Sequence, residues 1–211
     1  MVKANRFDLI NDDIIEMDIY YKYISNKFFD DSSDLNNNNN LLKLNFDQKI
    51  ESLKNLTSYD NPLINSITNN NIFELNELLN KNTINYKDED NESLLHYAVH
   101  FNNYDICKLL LKHKININST DKWNQNPLHK INSNSNSKII SLFVKNNIDI
   151  NKMDIFGNTP LHIAVLNSNI KCVDKLLKCG ANYKICNNYE FTPLDLSIND
   201  ENIKNTILAF I

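Results

Sequence analysis

The chain has 211 residues, 42% of them apolar, and its 22 basic and 26 acidic side chains leave a net charge of −4. That balance excludes a general nucleic-acid binder, which needs surplus cationic charge to displace counterions, and a polybasic membrane anchor. No apolar run approaches a membrane span, and the residues after Met1-Val2-Lys3 lack the apolar stretch of a secretory signal. Glycine occurs only at Gly157 and Gly180, so no glycine-rich phosphate loop can be built. Asparagine is abundant and Arg6 is the only arginine, a bias toward A/T-rich codons and not a chemical signature.

In chain order, Ile14, Ile15, Ile19, Tyr23, Ile24 and Phe28 fall at the spacing of an amphipathic helix. Asp34 to Asn40 is a polar loop, and Phe46, Ile50, Leu53 and Leu56 suggest a second helix. Residues 1–60 hold 7 basic and 11 acidic side chains and share no period with residues 61–211. They read as a helical N-terminal cap, with a tail or a decayed repeat as the alternatives.

From residue 61 the sequence repeats. Ser93-Leu94-Leu95-His96, Asn126-Pro127-Leu128-His129, Thr159-Pro160-Leu161-His162 and Thr192-Pro193-Leu194-Asp195 succeed one another at intervals of 33. Asn61-Pro62-Leu63-Ile64 is a weaker copy, 32 residues before the first of these. Proline suits the first helical turn, where no backbone N–H is needed, and the preceding hydroxyl can cap it. Leu95, Ala98 and Val99 mark a short helix. Leu75, Cys107, Ile140 and Val173, with Leu78-Leu79, Leu110-Leu111, Phe143-Val144 and Leu176-Leu177 farther on, mark a longer one. Each unit therefore reads as loop, short helix, turn, longer helix.

The segments Phe156-Gly157-Asn158-Thr159-Pro160-Leu161-His162-Ile163-Ala164-Val165 and Val173 to Asn182 resemble an ankyrin repeat closely. The resemblance covers about 61–211 and implies an all-α solenoid with short β-like finger loops, in units of about 61–90, 91–123, 124–156, 157–189 and 190–211. The last unit is truncated. Where the family places glycine between helices, this chain has Asn102, Ser135, Ser168 and Glu201. After the second helix it has Lys114, Asn147 and Gly180. Asparagine tolerates the left-handed conformation; Lys114 is the awkward substitute. Lys130-Ile131 and the polar run Ser133 to Ser137 predict an irregular third unit.

The resemblance implies that His96, His129 and His162 fix loops by hydrogen bonding and are not a metal ladder. Cys107, Cys172, Cys179 and Cys186 read as reduced thiols in the absence of a secretory signal, and the last three, seven apart, lack the close pairs that zinc takes. No nucleophile–base–acid set is identifiable, and no enzyme activity, cofactor or metal is expected. Three residues before each repeat start lie Asp90, Trp123, Phe156 and Tyr189. With Ile155, Phe191, His100, Phe101 and Leu166 they predict an aromatic and apolar stripe on the concave side that binds a protein partner. The irregular, glycine-poor array also resembles short poxvirus ankyrin proteins without an F-box-like C-terminus. That implies a cytoplasmic host-range or innate-immune modulator of the NF-kappa-B type; the sequence leaves the oligomeric state open, with a monomer preferred. The alternatives are a cellular scaffold from an A/T-rich organism and, remotely, a metal-dependent or catalytic role in the cap or cysteine series.

Overall fold

The structure is a computed structural model that describes residues 61–211. The two helices and the loop expected in residues 1–60 lie outside the described residues. From residue 61 the helices come in pairs: α1 (Pro62–Thr68) and α2 (Ile72–Leu78), α3 (Leu94–His100) and α4 (Tyr104–Lys112), a 3-10 helix (Pro127–Lys130) and α5 (Lys138–Lys145), α6 (Pro160–Leu166) and α7 (Ile170–Lys178), and α8 (Pro193–Leu196) and α9 (Glu201–Leu208). Lys87 and Ser93 form an isolated antiparallel bridge, and no sheet is present among the described residues. None of the described helices is long and apolar enough to cross a membrane.

Local sequence explains the helix starts. Pro62, Pro127, Pro160 and Pro193 each stand in the first turn. Ser93, Asn126, Thr159 and Thr192 each form a capping box with the residue three positions on. The turns between helices place Asn70, Asn102 and Ser168 at φ 52°, 57° and 52°. After the second helices Lys114, Asn147 and Gly180 stand at φ 62°, 63° and 90°. Lys114 thus takes the left-handed conformation despite its Cβ, at a cost of roughly 1 kcal/mol. Ser135 and Glu201 do not share it, and Glu201 instead opens α9.

Neither helix of a pair can bury its apolar face alone, so the pairs stack. The first helices pack on one another, and the second helices form a parallel layer behind them. Cys107, Ile140 and Val173 are wholly buried between the layers, as are Leu110, Phe143 and Leu176. Burial pushes the Cys107 and Cys172 thiols up to about 12 and about 11, out of the reactive range, and all four cysteines are free.

The third unit is irregular, as its sequence predicts. Its first helix is a single 3-10 turn that ends at Lys130, and Ile131 is extended at φ −64° and ψ 129°. Ala98 and Ala164 occupy the equivalent site in α3 and α6 and are wholly buried where first helices meet. Isoleucine adds bulk in that close-packed position, and the backbone leaves the helix to place it. Asparagine side chains replace the lost turn. Asn167 Nδ2 donates to the Ile131 carbonyl at 2.7 Å, Asn132 Nδ2 to His100 at 2.9 Å and Asn169 Nδ2 to Asn132 at 2.8 Å.

Candidate protein interface

The loops between pairs are four short fingers built on one plan. Asp88, Asp121, Asp154 and Asn187 open them, and each Oδ1 accepts the backbone N–H groups two and four residues on, at 2.8 to 3.1 Å. The opening residue also donates its own N–H to the carbonyl four residues on, closing the hairpin. Asn91, Asn124, Gly157 and Glu190 take the left-handed turn position, at φ 61°, 61°, 78° and 66°. At Gly157 a Cβ would lie 2.6 Å from Asn188 Oδ1, so here glycine also admits the next finger.

The fingers pair through their tips. Lys122 N–H donates to the Asp90 carbonyl at 2.8 Å, Ile155 N–H to Trp123 at 3.0 Å and Asn188 N–H to Phe156 at 2.9 Å. Asn124 Nδ2 and Asn188 Nδ2 bridge to the Met153 and Ile155 carbonyls at 2.9 and 3.0 Å. Trp123, Phe156 and Tyr189 therefore occupy one position in three consecutive fingers, and Asp90 holds it in the first. All three aromatic residues are half-buried, while Ile155 between them is 44% exposed. Phe191 lies on the return arm of the last finger and is half-buried. His100 and Phe101 end α3, with ring centroids 5.0 Å apart in an edge-to-face pair, and Leu166 ends α6. These three stand about 10 Å along the first helices from the finger bases, since seven residues rise that far. Phe101 also packs on the core.

Histidines lock the fingers to the helices. His96, His129 and His162 Nδ1 accept the cap N–H of Ser93, Asn126 and Thr159, each at 3.1 Å. Their Nε2 atoms donate to the carbonyls of Gln125, Asn158 and Phe191 in the next finger, at 2.9, 3.1 and 3.1 Å. At His96 and His162 an N–H partner on one nitrogen and a carbonyl on the other require the neutral ring with its proton on Nε2, whereas His129 Nδ1 also lies 2.9 Å from Asn126 Oδ1. Burial enforces neutrality and lowers all three to about 4. Ser93 Oγ lies 2.8 Å from His96 Nδ1, but Nε2 faces a carbonyl and not a carboxylate, so the pair is a helix cap. Asp195 keeps the cap half of the motif, accepting the Thr192 N–H at 2.8 Å, and as a carboxylate has no proton for the other half.

A charge network that the repeat pattern did not reveal lies beneath Trp123. Lys130 Nζ sits 2.5 Å from Glu92 and 2.8 Å from the fully buried Asp121 carboxylate, and also donates to Gln125 Oε1 at 3.2 Å. Burial pulls the Lys130 ammonium down, but the two carboxylates more than offset it and hold its pKa above the ordinary value. Lys122 pairs with Asp90 at 2.7 Å and lies 4.2 Å from the centre of the Trp123 ring; Lys130 lies 5.4 Å from it. Burial raises Asp154, which accepts from Gln125 Nε2 at 3.2 Å, and raises Asp88, which accepts the Tyr97 hydroxyl at 2.6 Å. Lys130 stands where Tyr97, Ile163 and Leu196 stand in the other units. A lysine at that otherwise apolar position was the available signal.

The sequence profile of ankyrin repeats (3 copies) matches residues 32–121 and 116–187. The first match begins inside residues 1–60, the segment read as an N-terminal cap for want of the period, and together the matches span most of the chain. No curated protein matches the chain at a significant level. Repeats of this kind are protein–protein interaction modules.

Proposed function

Because the chain belongs to the ankyrin-repeat family, we propose that it is a non-catalytic protein-binding module whose finger tips form the contact surface. The observation that carries this reading is the ladder joining the tips. It presents Trp123, Phe156 and Tyr189 in one row with Ile155 exposed between them. Aromatic groups in a row bury much area with few rotors, and a hydrogen-bonded backbone behind them lowers the ordering cost of binding. Their half-buried state supports anchors already held in place. The bound protein is a host cytosolic signalling component of the NF-kappa-B type, and the chain acts as a host-range or innate-immune modulator. The asparagine- and lysine-rich, glycine-poor composition and the shortened third unit support that reading.

The test is a tagged pulldown from mammalian cytosol read by mass spectrometry, comparing the wild type with Trp123→Ala/Phe156→Ala/Tyr189→Ala. The variant is first shown to be folded by its circular dichroism melt. Proteins captured by the wild type and lost by the folded variant are the expected result, and their identity decides between host factor and cellular scaffold partner. Identical captures would remove the finger tips from the interface.

A further inference from the structure

The net negative charge of the chain hides a segregation of charge. Residues 104–114, 138–147 and 170–180, which hold α4, α5 and α7 with the turn after each, carry eight lysines against two aspartates, Asp105 and Asp174. The lysines fall in two rows at the repeat interval of 33. Lys112, Lys145 and Lys178 end the three helices, while Lys138, Lys171 and Lys204 stand near the starts of α5, α7 and α9. Lys112, Lys138, Lys145, Lys171 and Lys178 are exposed, and Lys204 is half-buried.

The two rows differ in what explains them. A lysine in the last turn complements the negative end of the helix dipole, so the first row has a stabilising role within its own helix. Lys138 and Lys171 lie in the first turn, where a cation opposes the dipole. Among the described residues neither makes an ion pair, whereas Lys204 lies 3.8 Å from Glu201 and Lys178 lies 2.8 Å from Asp174. Stability of the isolated chain thus accounts for one row and not for the other.

We propose that the second-helix layer is a separate binding surface for an acidic helix of a protein partner. Neighbouring packed helices lie about 8–10 Å apart, so successive lysines of a row are spaced by about that distance. Side chains seven residues apart on a partner helix are about 10.5 Å apart, which matches the row. A helix with a glutamate at every seventh position laid across α4, α5 and α7 meets one lysine per turn of the array. A nucleic acid fits less well. Its uniform phosphate charge would meet Asp105 and Asp174 within the rows, the described residues hold no arginine, and the exposed residues of α5 and α7 include no aromatic ring on which a base could stack. Charge complementarity of discrete groups sets register and partner choice more than raw affinity.

The experiment uses the full chain and a labelled synthetic helical peptide with glutamate at every seventh position, monitored by fluorescence anisotropy. A peptide of the same composition in scrambled order, a DNA duplex and a single-stranded RNA homopolymer are run beside it. The comparison protein is Lys112→Gln/Lys138→Gln/Lys145→Gln/Lys171→Gln, whose exposed positions leave the core intact, as its melt verifies. The expected result is binding of the ordered peptide at least about tenfold tighter than the scramble, lost on raising salt and in the quadruple variant, and retained by Trp123→Ala/Phe156→Ala/Tyr189→Ala. Equal binding of ordered and scrambled peptides, unchanged binding by the quadruple variant, or tighter binding of either nucleic acid would each overturn the proposal. Retention in the finger variant keeps this surface distinct from the finger tips, so either reading can fail alone.

Discussion

The third and fourth units solve one packing problem in different ways. In the fourth, Ala164 lets α6 run seven residues, and backbone hydrogen bonds complete the helix. In the third, Ile131 stands at the alanine site, the helix stops after one 3-10 turn, asparagine side chains of the fourth unit bond the released carbonyls of Ile131 and Asn132, and Asn132 itself donates to His100 of the second unit. Lys130, at the position of Ile163, then sits against the finger and joins Glu92 of one finger to Asp121 of the next. A regular unit is held by its own backbone and its apolar face. The irregular one is held more by polar bonds to its neighbours, so its stability belongs to three units at once.

Truncating the two cores tests the part that the units share. Phe143→Ala should cost about 3–5 kcal/mol and Leu177→Ala about 2–5 kcal/mol in urea-unfolding free energy. Both side chains are buried in second helices, where the units are alike. A small loss at Phe143 would mean that the outer layer of the third unit is as irregular as its inner one.

The polar half of the comparison breaks at Asp121. Replacement by alanine takes away one of the two carboxylates that hold Lys130 and removes the acceptor that organises the second finger, for an expected loss on the order of 3–5 kcal/mol. Asp121→Asn keeps that acceptor, as Asn187 does in the last finger, and replaces the oxygen that accepts from Lys130 by an amide donor, for about 2 kcal/mol. Equal losses in the two variants would show that the finger bonds contribute nothing.

Acidification acts on the bonds that tie the second to the fifth units together. The folded histidines sit at about 4 against an ordinary 6.5, because burial disfavours the imidazolium. Between these values the unfolded chain takes up protons that the folded chain refuses. Stability is therefore full above about pH 6.5 and falls toward pH 4, by up to about 1.4 kcal/mol per pH unit for each histidine. Burial raises Asp88 and Asp154 above their ordinary 3.8, and these two act in the opposite sense, against the decline. Urea midpoints at pH 7, 6 and 5 measure the slope; a flat series would place the imidazoles in water.

The smallest expected effect separates Lys114 from Gly180, which share a turn position. Lys114→Gly should raise stability by about 0.5–1 kcal/mol, since it removes a left-handed side-chain penalty from an exposed site. A loss instead would mean that the Lys114 side chain contributes more than its backbone conformation costs.

Much of this was legible in the residues. The interval of 33 located every described helix pair, the Pro and Thr or Asn pairs located the starts, and Lys130-Ile131 with its polar sequel located the irregular unit. The aromatic positions at the finger tips came from the same interval. What the tips touch did not. Trp123 lies by two lysines, one of them seven residues away on a different element, and no periodicity within a helix encodes that meeting.

The sequence by itself determined the period, the register of the apolar faces and the caps, because these depend on residues three, four or seven apart along one helix. Only the tertiary structure decided the roles of Lys130, of the asparagines and of the lysine rows. The asparagines looked like codon bias. Stacking places Asn103 against the Ile67 carbonyl, Asn126 against Asp149 and Asn187 against Asn158, and so turns the residue into a tie between distant segments of the array. The physical reason is separation: these bonds join groups 23 to 36 residues apart, and such groups meet only once the apolar faces have chosen how the pairs stack.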